Sequence, residues 1–440
     1  MASRKITKLD FKMTILVGLG FMTISAFWQL YDFKIPLILK NTFGVGDTWT
    51  GFIMSLDNIV ALFMIPLFGS LSDKTHTKIG RRKPYIIFGT IAAVVLMLLI
   101  PYAAHSAQLG LFIAILAVLL IAMATYRSPA VSLMPDVTPK PLRSKGNAVI
   151  NLMGAVGGAL ILLLNSILSS GSTDPANVNY WPIFIVTALI MLLGMIALAI
   201  TVNEPKLVKK MHEDSKALGL HDEAKDIDDL ANDSGKLPKN VLSSMILILA
   251  SIALWFTGYN AITTAFSRYA VIRLGMPESQ ASLILMVAIV AATIAFIPVG
   301  IVSTKLGRKK SILFGVVLLT LVFATSALYT AYSPLMYISF TFAGIAWAAI
   351  NVNSLPMVLE MSKDSSVGKY TGYYYTFSMA AQIFTPIVSG ALLEHVGYYT
   401  LFPYGAFFIG LAFFTMLFVK HGDAKPIPPK SVLESFDVED

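Results

Sequence analysis

The chain contains no cysteine in its 440 residues, which excludes a disulfide framework, a thiolate metal site and a cysteine nucleophile. Charge is scarce too: Asp, Glu, Lys and Arg make up 13% of the sequence, against roughly 25% in soluble domains. The six histidines, His76, His105, His212, His221, His395 and His421, fall in loops, tails or span ends, so a buried imidazole relay is not expected. No phosphate-binding loop, metal-ligand cluster or nucleophile with a base in reach is visible, and neither an enzymatic reaction nor a cofactor or metal is expected. What the chain has in excess is apolar surface: 56% of its residues are hydrophobic and its mean hydropathy is +0.72. One soluble core cannot hide that much, and the chain is expected to use a lipid bilayer as its solvent.

A hydrocarbon layer about 30 Å thick needs about 20 apolar residues per helical crossing. Runs of that length predict spans at 13–37, 49–69, 84–104, 110–133, 147–168 and 181–201, then at 241–264, 279–301, 311–331, 334–357, 371–393 and 400–420. Helices are required because an open sheet edge in lipid leaves backbone groups unpaired, and a barrel would alternate over short segments. The fold class expected is an all-α membrane protein with twelve transmembrane helices in two six-helix bundles. The first apolar stretch is too long for a cleavable signal and lacks a small-residue cleavage site, so it reads as a signal anchor.

Net charge is +8. All Lys and Arg residues except Lys34, Lys40, Arg127, Arg268 and Arg273 fall on one side of the expected topology, which places both termini in the cytoplasm. Because this charge is spread over alternating short loops, no nucleic-acid partner is expected.

One long polar stretch, 203–240, divides the spans evenly, giving an N-terminal bundle (1–202), a cytoplasmic linker (203–240), a C-terminal bundle (241–420) and a cytoplasmic tail (421–440). The halves echo each other. Gly69-Ser-Leu-Ser-Asp73-Lys74, followed by Gly80-Arg81-Arg82-Lys83-Pro84, lies after span two. Gly300-Ile-Val-Ser-Thr304-Lys305-Leu-Gly307-Arg308-Lys309-Lys310 lies after span eight. Two parallel six-span repeats are the plan of transporters that rock about a site at mid-membrane. The spacings Gly154-x-x-x-Gly158 and Gly344-x-x-x-Ala348 read as close helix packing.

The Gly-x-x-x-Asp-Lys…Gly-Arg-Arg-Lys loop resembles the motif between helices two and three of the major facilitator superfamily. Its longer form, from Ser72 to Pro84, is similar to the glycoside-pentoside-hexuronide:cation symporters and the related sucrose/proton symporters. Arg127-Ser-Pro-Ala-Val-Ser-Leu-Met-Pro135 resembles the fourth helix of melibiose permease, and Gly368 to Phe377 has the look of helix eleven. The resemblance implies the major facilitator fold, sugar import by symport in a bacterial cytoplasmic (inner) membrane, and a monomer. It also implies that Gly69, Asp73, Gly80, Arg81, Arg82, Gly307 and Arg308 gate the cytoplasmic side, with Asp73 as a latch. The acidic sodium ligands of melibiose permease correspond to Ala61, Ile65 and Arg127 in this chain, which favours a proton or no coupling ion.

An ionisable group inside a span costs about 2.5–3.5 kcal/mol on insertion scales, so each asks for a role. Asp32, Asp57 and Arg127 are the candidates for proton coupling and sugar binding; Asp136 ranks lower, implied by an Asp near that position in the sucrose symporters. Glu360, like Asp136, lies at a cytoplasmic span end. Aromatic faces and amides that recognise sugars are offered by Trp28, Gln29, Tyr31, Asn58, Asn151, Trp255, Tyr259, Asn260, Trp347, Asn351, Asn353, Tyr373, Tyr374 and Gln382. Amides in lipid must face the interior. The function expected is proton-driven import of a glycoside, a disaccharide such as sucrose or maltose. The alternatives are an uncoupled sugar facilitator and an exporter of amphipathic compounds, the latter calling for a greasier interior.

Overall fold

In a computed structural model the residues described are 9–139, 142–169, 178–217, 238–361 and 367–423. Most of the linker expected at 203–240 and most of the tail after 423 lie outside them. Helices account for the described elements, and no strand occurs among them. The first half contributes α1 (Phe11–Asn41), α2 (Asp47–Asp73), α3 (Lys83–His105), α4 (Leu109–Val137), α5 (Arg143–Leu168) and α6 (Trp181–Thr201), then a short α7 (Glu204–Ala217). The second contributes α8 (Lys239–Arg268, continued by a π-helical turn at Tyr269–Arg273), α9 (Glu278–Leu306), α10 (Arg308–Ser326), α11 (Leu335–Glu360), α12 (Val367–His395) and α13 (Leu401–Leu417). Twelve helices among the described residues are long and apolar enough to cross a membrane.

Two compact units result. Unit 1 is Met1–Val45, Leu56–His221 and Pro277–Met286; unit 2 is Gly46–Ser55, Asp222–Met276 and Val287–Asp440. Within unit 1, α1 packs on α5 and α6, and α3 packs on α4 and α6. Within unit 2, α8 packs on α12 and α13, and α10 packs on α11 and α13. The same four pairings therefore recur six spans apart, which is the repeat expressed as packing.

Lipid tails are as apolar as leucine, so these pairings cannot rest on hydrophobic burial and depend on close approach instead. Gly154 and Gly157 supply it between α5 and α1: a Cβ on Gly157 would run into the backbone oxygen of Met22, and one on Gly154 into the Phe21 ring. Gly344 does the same for α11 against the Ala288 carbonyl of α9. Gly154 and Gly344, the first residue of each expected spacing, thus meet a neighbouring helix, and on α5 the second close approach is made by Gly157.

Each unit ties a basic loop to the ends of two helices in the same manner. In unit 1 the Glu204 carboxylate accepts the backbone N–H groups of Arg81 (2.7 Å), Arg82 (2.9 Å) and Lys83 (3.0 Å), which would otherwise be open donors at the start of α3. Lys83 Nζ donates to the last carbonyls of α6, Ala199 (2.8 Å) and Val202 (2.7 Å). Gly80, at φ +116°, admits the Glu204 carboxylate where a side chain would collide with it. In unit 2, Asp423 accepts Lys309 N–H (2.7 Å), and Lys309 Nζ donates to Leu417 (2.8 Å) and Val419 (2.6 Å) at the end of α13. The structural equivalents are thus Lys83 with Lys309 and Arg82 with Arg308. This is one residue off the alignment that pairs the loop glycines, because Arg81 is an extra residue in the first copy.

Candidate functional site

Asp32, Asp57 and Arg127, three ionisable groups inside the spans of unit 1, form one cluster. Arg127, on α4, lays its guanidinium over the Trp28 ring of α1, 5.5 Å from the centroid. Trp28 is held edge-on between Phe27 (5.1 Å) and Tyr31 (5.4 Å), so its plane is fixed by neighbours one helical turn away or closer. Asp57, on α2, accepts a 2.8 Å hydrogen bond from Asn58. Asp32 interacts electrostatically with both Asp57 and Arg127, and Tyr31 with both carboxylates. Two carboxylates and one guanidinium therefore share a small region between α1, α2 and α4. A guanidinium stacked on an indole keeps its edge available for carboxylate or hydroxyl partners. The Trp28 indole N–H is buried without an acceptor.

Unit 2 carries an aromatic counterpart. Tyr259 of α8 and Trp347 of α11 stack face to face, with centroids 3.6 Å apart and planes 5° from parallel. Phe256 stands edge-on to Trp347 at 5.4 Å. Asn260, beside Tyr259 in sequence, has a buried Nδ2 without an acceptor. A flat, half-exposed ring pair next to an unsatisfied donor offers one apolar face and one polar contact, the two things a pyranose presents.

Trp255, Tyr374 and Asn353, also expected at the site, are buried. Trp255 is fully buried (0% exposed) and serves the core of unit 2. Tyr374 is buried, with its hydroxyl 3.1 Å from Ser354 Oγ, and acts as a packing residue beside Phe256. Asn353, also buried, turns its amide back to the Ala349 carbonyl at 2.9 Å. Gln29, Asn151, Asn351 and Gln382 are half-buried on α1, α5, α11 and α12, and Tyr373 is exposed.

The basic loop of unit 1 forms a separate network. Asp136 accepts from Arg81 (2.7 Å) and from Arg82 Nε (2.7 Å), and Asp73 pairs with Arg82. Arg82 also donates to Ser72 Oγ and the Gly69 carbonyl (3.3 Å). Asp136 thus belongs with the expected gating residues Gly69, Asp73, Gly80, Arg81 and Arg82, not with Asp32 and Asp57. In unit 2, Arg308, next to Gly307, pairs with Glu360, making Glu360 the counterpart of Asp136. Sequence reasoning missed Glu204, Asp423 and Phe256. The acids follow the last span of each half, and that symmetrical position was the available signal.

A family model described as the Major Facilitator Superfamily matches residues 17–291 and 272–436. Among curated proteins, a putative metabolite transport protein of Haemophilus influenzae is 27% identical over 191 residues, covering 42% of this chain and 41% of that protein. A sucrose transport protein of Arabidopsis thaliana is 28% identical over 139 residues, covering 27% of this chain and 23% of its own. These matches span less than half the length of either relative. The inward-open xylose transporter XylE of E. coli superposes with a TM-score of 0.68 at 15% identity, covering 96% of this chain and 98% of that one.

Proposed function

The chain belongs to the major facilitator superfamily, a family of membrane transporters and not of enzymes, and from that premise we propose that it imports a glycoside by proton symport. The substrate is a disaccharide such as sucrose or maltose. The protein works as a monomer in a bacterial cytoplasmic membrane, with both termini and the 203–240 linker inside, and with bundles at 1–202 and 241–420.

The observation that carries this reading is the pairing of chemistries. Unit 1 concentrates Asp32, Asp57 and Arg127 in one place, and unit 2 holds the Tyr259–Trp347 stack beside the unsatisfied Asn260 amide. In this scheme Trp347 and Tyr259 meet the C–H face of one sugar ring, and Asn260, Asn351 and Gln382 meet its hydroxyls. Trp28, Gln29, Asn58 and Asn151 are the polar candidates of unit 1. Asp57 and Asp32 exchange the coupled proton, and Arg127 competes with it for the same carboxylates. That competition couples the proton to the solute, because a carboxylate released from Arg127 by protonation frees the guanidinium for a hydroxyl. The amides and carboxylates favour a polar solute over an amphipathic one. Support from relatives is the sucrose transport protein, similar over part of its length.

The test is uptake of a panel of labelled disaccharides into proteoliposomes with and without an inward proton gradient, repeated for Asp57→Asn and Arg127→Gln. Gradient-driven accumulation that both substitutions abolish is expected, with counterflow exchange retained in Asp57→Asn and weakened in Arg127→Gln, whose guanidinium also meets the sugar. Equal uptake with and without a gradient would make the protein an uncoupled facilitator.

A further inference from the structure

α12 carries three lengthwise faces. Tyr370, Tyr374, Ser378 and Ala381 are buried, on a helix that packs against α8. Tyr373, Phe377, Phe384 and Val388 are exposed, and their apolar bulk suits acyl chains. Thr371, Tyr375 and Gln382 share a third, half-buried face, roughly 150° around the helix from the exposed one at about 3.6 residues per turn. An amide and two hydroxyls turned away from the apolar face belong beside water or solute, since polar groups in hydrocarbon are costly.

A run of rings joins this polar face to the Tyr259–Trp347 stack. Phe256, half-buried on α8, stands edge-on to Trp347 at 5.4 Å and to Tyr374 at 6.5 Å, and Tyr374 stands edge-on to Tyr375 at 5.4 Å. Each ring is turned by 84° to 90° from the one before, so packed neighbours set the plane of Tyr375. The Tyr374 hydroxyl, 3.1 Å from Ser354 Oγ, marks the level. Ser354 lies two turns, about 10 Å, beyond Trp347 along α11, toward the Arg308–Glu360 pair. Packing accounts for the buried Tyr374; it does not call for a second tyrosine beside it, half-exposed on the polar face.

We propose that Tyr375 is the centre of a second pyranose subsite within unit 2, one that receives a sugar ring after it leaves the Tyr259–Trp347 stack. The inference rests on the glycoside reading above and adds a station to it. The face of the Tyr375 ring takes the C–H side of the pyranose, and the Thr371 hydroxyl one turn away takes a sugar hydroxyl. Gln382, two turns away on the same face, lies toward the first subsite. A single ring holds the sugar more loosely than a stacked pair, and sites in series pass a solute on only when each is weak enough to leave.

The natural absence of cysteine makes the test direct. Thr371→Cys reports on the new subsite, Thr263→Cys, one turn from Tyr259, on the first, and Phe377→Cys on the exposed apolar face. Each is reacted in nanodiscs with a polar maleimide, alone and with increasing maltose, sucrose, lactose or trehalose. Without sugar, Thr371→Cys should label at least about tenfold faster than Phe377→Cys, because the reactive thiolate needs water. At least one disaccharide should slow both Thr263→Cys and Thr371→Cys, the latter at about fivefold to tenfold higher concentration. Tyr375→Ala should remove the slowing at Thr371→Cys and keep it at Thr263→Cys, which also reports that the fold is intact; Tyr375→Phe should keep both. Slowing at Thr263→Cys alone, or at both positions with one concentration dependence, would overturn the second subsite and leave the glycoside reading standing. Loss of both effects in Tyr375→Ala would overturn it too, making Tyr375 part of the first site or of the fold. No slowing at either position by any of the four sugars would overturn the glycoside reading and the subsite together.

Discussion

Replacing Glu204 by glutamine tests the knot between α3 and α6 with one atom changed in identity. The carboxylate, 1% exposed, accepts three backbone N–H groups and lies against Gly80. A hydrogen bond to a charged group contributes about 1.5–3 kcal/mol and one between neutral groups about 0.5–1.5. Losing the charge across three bonds therefore costs about 3 kcal/mol, before counting the amide N–H that Gln would turn toward donors. That is about two decades in the folding equilibrium, since each 1.4 kcal/mol is tenfold. The measurement is equilibrium unfolding in mixed micelles with increasing denaturing detergent, comparing Glu204→Gln with Asp423→Asn. Asp423 is exposed and caps a single backbone N–H, that of Lys309, so its loss should be well under half as large. If Glu204→Gln were as stable as the unmodified protein, or if Asp423→Asn cost as much, the capping account of this loop would be wrong.

Trp347→Ala should raise the half-saturating sugar concentration about fivefold to tenfold in counterflow, since an aromatic contact contributes about 0.5–1.5 kcal/mol beyond its area, and Trp347→Phe should recover part of it. Trp255→Phe, at a fully buried position, should lower thermal stability in a melting scan with no change in that half-saturation value. Gly157→Leu, placed against the Met22 carbonyl, should abolish a folded monodisperse peak on size-exclusion chromatography, whereas Gly110→Leu, with open space around its Cβ, should not. Asp136→Asn should slow transport but leave proton-driven accumulation at equilibrium intact, because its partners are Arg81 and Arg82 rather than the Asp32–Asp57 cluster.

Much of this was legible in the sequence because lipid imposes so few solutions. Each expected span lies largely on a helix, and the helices run past the apolar stretches: α1 begins at Phe11 rather than at 13, capped by Asp10 accepting the Met13 N–H, and ends at Asn41 rather than 37. Hydropathy registers the greasy stretch alone, while backbone hydrogen bonding and caps decide where a helix stops. Asp32, Asp57 and Arg127 stood out because a charge in a span is costly wherever it points. The direction of a side chain was not legible. Trp255 and Tyr259 are one turn apart on α8, and nothing local tells the buried core residue from the half-exposed stacking partner. Nor does any local pattern reveal that Asp47 meets Arg268, 221 positions away, or that Glu204 reaches back to the Arg81–Lys83 backbone.

The paired knots have a mechanical consequence. Lys83 and Glu204 fasten the start of α3 to the end of α6, and Lys309 and Asp423 fasten α10 to α13, each by backbone groups at both helix ends. Either couple therefore turns as one rigid rod, and spin labels across it should report a constant separation throughout the transport cycle. A change in that separation would mean that these hydrogen bonds open during the cycle.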